Sequence, residues 1–138
     1  MIDPMHPIQE LLKKDRRYPL DAYAFVFEAL SYAQSVLQMG TETPGESRTE
    51  DDEPERHVSG QELCEAIRRF ALEQYGYMAK TVLNNWGIRR TGDFGEIVFN
   101  LIAVGQMRKT PGDRREDFDA VYDFDEAFKQ RFKIRLPH

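Results

Sequence analysis

The chain has 138 residues, 41% of them hydrophobic and 31% charged, with a formal net charge of −5 and one cysteine. That composition suits one soluble globular domain able to bury a core without staples. It excludes an internal disulfide or a cysteine-based zinc site, and no apolar run approaches the ~20 residues that cross a membrane.

The acidic excess is local. Residues 40–57, GTETPGESRTEDDEPERH, carry seven acids against Arg48 and Arg56, while the flanking segments are close to neutral. A body of this balance does not favour broad nucleic-acid binding, although a local patch remains open to it. The start, MIDPMHPIQELLKK, has no apolar stretch behind a basic one and is not read as a secretory signal. A cytoplasmic protein is expected.

Helix signals then dominate in chain order. Pro7 opens a short helix over 7–14, since proline fits the first helical position. Pro19 opens a longer one over 19–39. Tyr23, Val26, Phe27, Leu30, Ala33 and Leu37 recur at three- and four-residue steps, with Phe25, Ala29, Tyr32 and Val36 beside them. So wide an apolar surface predicts the central, buried helix, with Gly40 as its left-handed cap. The acidic segment 40–57 follows and is expected to be a mobile, disordered loop, because its composition cannot offset the entropy of ordering.

Ser59 and Glu62 form a capping box ahead of a helix that buries Leu63, Ile67, Phe70 and Ala71 and ends at Gly76. A short helix over 77–86 turns Met78, Val82, Leu83 and Trp86 inward, closed by Gly87. Asp93 and Glu96 suggest a second box for a helix over 93–107 that buries Phe94, Ile97, Val98, Leu101 and Ile102. Thr110-Pro111-Gly112-Asp113 reads as a turn. Asp123 and Glu126 offer a third capping pattern before Phe124, Phe128 and Phe132. From residue 129 the period changes to two, a strand pattern: Lys129, Arg131, Lys133 and Arg135 alternate with Gln130, Phe132, Ile134 and Leu136.

A faint internal repeat is also present. Phe25-Val26-Phe27 and Ile97-Val98-Phe99 lie 72 residues apart, each behind an acid (Asp21, Asp93) and each followed after a charged loop by a capping pattern. Two pseudo-repeated helix–loop–helix halves would carry such spacing. The phrases RYPLDAYAFVFEAL, RHVSGQELCEAIR, ALEQYG, WGIRRTGDFGEIVFNL and REDFDAVYDFDEAF together resemble a family of small uncharacterised bacterial repeat proteins with no assigned activity. The resemblance implies a bacterial cytoplasmic protein and brings no catalytic or binding residue with it.

The remaining constellations favour plain structural roles. His57 and Cys64 lack the third group that orients a base beside a nucleophile, and a lone cysteine is usually buried. The acids Glu116, Asp117, Asp119, Asp123, Asp125 and Glu126 lack the glycine of a calcium loop. The three successive helices resemble a helix-turn-helix, but Asp93 and Glu96 at the reading end repel phosphate. No glycine-rich phosphate loop, dinucleotide fingerprint, HExxH or GxSxG motif occurs.

The expected fold is therefore mainly α: a single compact helical domain of five or six helices, with a mobile acidic loop at 40–57 and a basic tail at 129–138 that allows a short C-terminal strand. The expected function is a non-enzymatic interaction module that needs no cofactor and no metal and meets a protein partner, with no membrane. Homodimerisation stays open. The partner-binding candidates are Lys129, Arg131, Lys133, Arg135, Phe132, Ile134 and Leu136, a strand able to add to a partner's sheet edge. The first alternative is a nucleic-acid- or ribosome-associated factor using Arg108, Lys109, Arg114 and Arg115 as phosphate contacts. The second is an enzyme with a pocket in the helical body among Tyr32, His57, Tyr75 and Trp86.

Overall fold

The structure is a computed structural model that describes residues 6–42 and 56–128. Most of the acidic segment and the whole of the basic tail, with their expected mobility and strand character, lie outside the described residues. The seven tail candidates lie outside with them.

Six α-helices are present among the described residues, mainly α as composition and periodicity imply: α1 (His6–Lys14), α2 (Leu20–Ser35), α3 (Gly60–Tyr75), α4 (Ala79–Asn85), α5 (Thr91–Ala103) and α6 (Phe124–Ala127). Two 3₁₀ turns, Gly76–Met78 and Arg115–Phe118, and a two-residue pair, β1 (Thr41–Glu42) with β2 (Arg56–His57), complete the order. The pair is antiparallel, Thr41 opposite His57 and Glu42 opposite Arg56. It joins the two ends of the acidic segment. Two residues carry no alternation, so periodicity could not foretell it.

α2 packs against both α3 and α5. Ala22, Tyr23, Phe25, Val26, Ala29 and Ala33 are buried. The helix is central but not enclosed, since Phe27 remains 42% exposed and Val36 63%. It also ends at Ser35, four residues short of the expected limit. Gln38 takes a left-handed φ of 51° and turns the chain, while the N–H groups of Leu37 and Met39 reach back to the Tyr32 and Ala33 carbonyls. Gly40 is thus not the helix cap. It lies against the His57 carbonyl, where a Cβ would come within 2.4 Å.

The Ser59 capping box is present in full. Glu62 N–H donates to Ser59 Oγ at 3.1 Å and Ser59 N–H to Glu62 Oε1 at 3.0 Å, satisfying two of the N–H groups a helix start leaves open. Leu63, Ile67 and Ala71 are buried and Phe70 is half-buried, as the spacing predicts. The expected helix over 77–86 is divided: Gly76–Met78 is a 3₁₀ turn and α4 starts at Ala79. A 3₁₀ turn has three residues per turn, so its phase differs from the α-helix that follows. Met78 consequently points outward, 42% exposed, instead of inward.

α5 starts two residues earlier than expected. Asp93 is the third helical residue, and its Oδ2 accepts from the N–H groups of Arg89 (2.9 Å) and Arg90 (3.2 Å). It therefore caps from inside the helix and forms no box with Glu96. The other end stops at Ala103 because Gly105, at φ 78°, closes it. Gln106 N–H reaches the Leu101 carbonyl and Gly105 N–H the Ile102 carbonyl, the six-to-one and five-to-two bonds of a left-handed glycine cap. Gly87 ends α4 in the same way, through Ile88 to Leu83 and Gly87 to Asn84.

One core joins these elements. Phe94 stacks on Phe124 with ring centroids 5.7 Å apart, and Phe124 meets Phe128 edge-on at 5.1 Å. Asp123 caps α6 by accepting from Glu126 N–H. Phe118, in the second 3₁₀ turn, fills the space left by two glycines: a Cβ on Gly95 would meet its Cβ at 2.9 Å, and one on Gly60 its ring at 3.1 Å. Tyr122 donates its hydroxyl to the Cys64 carbonyl at 2.8 Å.

A polar network ties the α1–α2 loop to α5. Asp15 accepts from Arg17 through both carboxylate oxygens and from Asn100 Nδ2 at 3.0 Å. Arg17 holds the Asp15 carboxyl well below the usual carboxylate range, against the opposing pull of burial. A depressed folded value means the stabilisation is complete above the unfolded value, about 4, and is lost as pH falls below it. Asp15→Asn should lower the unfolding free energy measured in urea at pH 7 by less than about 1 kcal/mol, because Arg17 is half-exposed and solvent screens the pair. At pH 2 the gap between variant and parent should have shrunk; an equal gap at both values would show that the charge is not what matters.

Candidate functional site

The clearest concavity grows out of the way α5 ends. After Gly105 the chain leaves the helix axis, runs through 106–114 and returns at the 3₁₀ turn, where Phe118 docks under Gly60 and Gly95. Because the return is anchored there, the excursion stands off from α5 as a wall. Between this wall, the second half of α2 and the start of α3 lies a cleft of about 510 Å³.

Its floor is apolar: Phe27 and Leu30 from α2, Leu63 from α3, and Val98, Phe99 and Ile102 from α5. Spacing alone places Phe27 and Leu30 in the apolar stripe of α2. The apolar face of α2 is sealed at Tyr23 and Val26 and open at Phe27, which lies in the cleft. Polar groups stand around this floor, including His57, Gln34, Gln106, Arg108, Lys109 and Arg114.

His57 and the wall are joined. The turn at 110–113 forms as its residues predict, with Asp113 N–H donating to the Thr110 carbonyl at 3.0 Å and Thr110 N–H to Asp113 Oδ2 at 2.9 Å. Asp113 Oδ1 lies 2.9 Å from His57 Nε2, and Thr110 Oγ1 lies 3.3 Å from the same nitrogen. Burial pushes the Asp113 carboxyl up, but the Thr110 N–H and the imidazole outweigh it, leaving a net lowering. An acid–base relay from a carboxylate through imidazole to a hydroxyl uses both ring nitrogens. Here one nitrogen serves both partners, and the arrangement is a clamp between β2 and the wall.

The four predicted phosphate contacts separate. Arg108, Lys109 and Arg114 line the cleft, and Asp117 beside them is occupied in accepting from Arg114 N–H at 3.1 Å. Arg115 is not in the lining. Its guanidinium lies over the Phe99 ring at 5.3 Å and 3.5 Å from Glu96.

The expected quartet Tyr32, His57, Tyr75 and Trp86 does not share a pocket. Tyr32 packs on Phe70, while Tyr75 and Trp86 surround Phe25; of the four, only His57 lines the cleft. Cys64 is fully buried, and desolvation pushes its thiol up to about 12, which leaves no nucleophile at neutral pH. The acids of 116–126 serve locally: Asp117 and Asp123 accept backbone N–H groups, and Asp125 pairs with Lys80. Among the described residues no group of three or more His, Cys, Asp or Glu side chains is placed to hold a metal ion. The start of α5, the reading end of a helix-turn-helix, is occupied from within: Tyr18 donates to Asp93 at 2.7 Å and Arg17 pairs with Glu96. No described helix is long and apolar enough to cross a membrane.

No protein-family model, curated protein or solved structure matches the chain.

Proposed function

We propose that this chain is a non-enzymatic interaction module of the bacterial cytoplasm whose binding surface is the cleft between α2, α5 and the 105–118 wall. The partner it fits is a protein segment presenting an aromatic or aliphatic side chain beside carboxylates. The apolar side chain would lie on Phe27, Leu30 and Ile102, and the carboxylates would meet Arg108, Lys109 and Arg114. One observation carries this reading: an open apolar floor has three cations among the residues around it. Buried apolar anchors supply most of the affinity of such interfaces, and rim charges supply rate and selectivity.

Selection of binders from a random peptide library tests it. The parent protein should select peptides with an apolar residue next to Asp or Glu. Phe27→Asp should weaken those peptides at least tenfold, with thermal stability changed by no more than about 1 kcal/mol because the ring is partly exposed already. Reversing Arg108, Lys109 and Arg114 to Glu should remove the acidic preference. If Phe27→Asp binds the selected peptides as tightly as the parent, the cleft is not the site.

A further inference from the structure

The fold brings together arginines from two loops that are far apart in sequence. Arg16 and Arg17 sit in the α1–α2 loop, Arg89 and Arg90 in the α4–α5 loop. The loops touch backbone to backbone at Gly87, where a Cβ would lie 2.6 Å from the Arg17 carbonyl oxygen. Between them is an open hollow of about 640 Å³, lined in part by Arg16, Arg89, Trp86 and the amides of Asn84 and Asn85. It lies apart from the cleft described above; no lining residue is shared.

The charges in this region are unequal in availability. Asp15 is taken by Arg17 and Asn100. Asp93 is taken by Tyr18 and the Arg89 and Arg90 N–H groups, and Glu96 by Arg17 and Arg115. Asp21 and Asp119 are exposed at the margins. Arg16, Arg89 and Arg90 are exposed and form no ion pair with any described residue. Lys13 and Lys14 in the last turn of α1 extend the positive region.

We infer that this hollow binds single-stranded nucleic acid, with Arg16 and Arg89 on phosphates and a base against Trp86. The planar guanidinium fork matches phosphate oxygens bidentately. Phe25 and Tyr75 pack on the indole and fix its position, and its remaining surface lines the hollow. Cations beside an aromatic platform form the recurrent arrangement for single strands. Asn84 and Asn85 each offer an amide donor and acceptor to a base edge. A duplex keeps its bases in the stack and cannot present one to Trp86.

Trp86 is the only tryptophan in the chain, so its emission reports on this site alone. The full chain is titrated with a labelled 12-nucleotide oligouridylate at low salt, beside a duplex RNA of equal length and heparin. The oligouridylate should bind and quench Trp86. The plot of log affinity against log salt should fall less steeply by about 0.7 for each arginine removed. Arg16→Glu and Arg89→Glu should each bind at least tenfold more weakly, with unchanged melting by circular dichroism. Arg16→Glu decides the matter if Arg89→Glu is unfolded. The inference is overturned if no oligonucleotide binds or if binding leaves Trp86 emission unchanged. It is likewise overturned if duplex or heparin binds as well with equal quenching, or if the arginine variants bind like the parent, which would place the contact on the basic tail.

Discussion

Phe94→Ala is expected to lower the stability of the fold by about 3–5 kcal/mol, the range for removing a fully buried phenylalanine ring. Phe94 has no exposed surface and stacks on Phe124, so it joins α5 to α6 and to the chain's last described turn. Truncation removes both the transfer energy of the ring and its contacts, and the surrounding backbone of two helices cannot collapse far into the gap. Domains of this size have about 5–15 kcal/mol in total, so the loss is a large fraction of the whole. Urea unfolding at pH 7 measures it, with the midpoint moving and the slope preserved. Phe94→Leu keeps much of the volume and should cost clearly less. A loss under about 1 kcal/mol for the alanine variant would mean that Phe94 is not in a close-packed core.

Gly87→Ala is expected to cost more than about 2 kcal/mol, from two separable causes. At φ 82° an L-residue meets its own carbonyl, worth roughly 1–2 kcal/mol. The added Cβ would also lie 2.6 Å from the Arg17 carbonyl oxygen, a backbone atom that moves only if the whole α1–α2 loop moves. Gly105 supplies the control. Its φ is 78°, nearly the same, yet a Cβ there would have nothing within 4 Å. Gly105→Ala should therefore show only the conformational cost, and the difference between the two variants measures the loop–loop contact. Trp86 precedes Gly87, so its emission should shift in Gly87→Ala and stay constant in Gly105→Ala. Equal losses in the two variants would show that the loops are not held together at Arg17.

The largest effects thus fall on residues whose roles differ in legibility. Phe94 could be named as core from its place in the stripe Phe94, Ile97, Val98, Leu101. Gly87 could be named as the stop of α4, but not as a contact to Arg17. Val98 and Phe99 show the same division on one helix: the spacing that makes Val98 inner gives no means of knowing that the surface beside it opens into a cleft.

The sequence by itself determined whatever depends on neighbours within about five residues. The Ser59–Glu62 box, the turn at 110–113, the Asp123 cap and the stop at Gly87 are short-range hydrogen-bond choices written in local residue types. The apolar stripes of α2, α3 and α5 are legible for the same reason, since period alone defines a face. Only the tertiary structure decided which stretch of each face is sealed. It left Phe27 open to a cleft, laid Phe118 into the space of Gly60 and Gly95, joined His57 to Asp113 across 56 residues, and brought Arg16 and Arg17 to one hollow with Arg89. Each of these is a contact between segments distant in the chain, and its position is set by how side-chain volumes fit when helices pack, which no local pattern encodes.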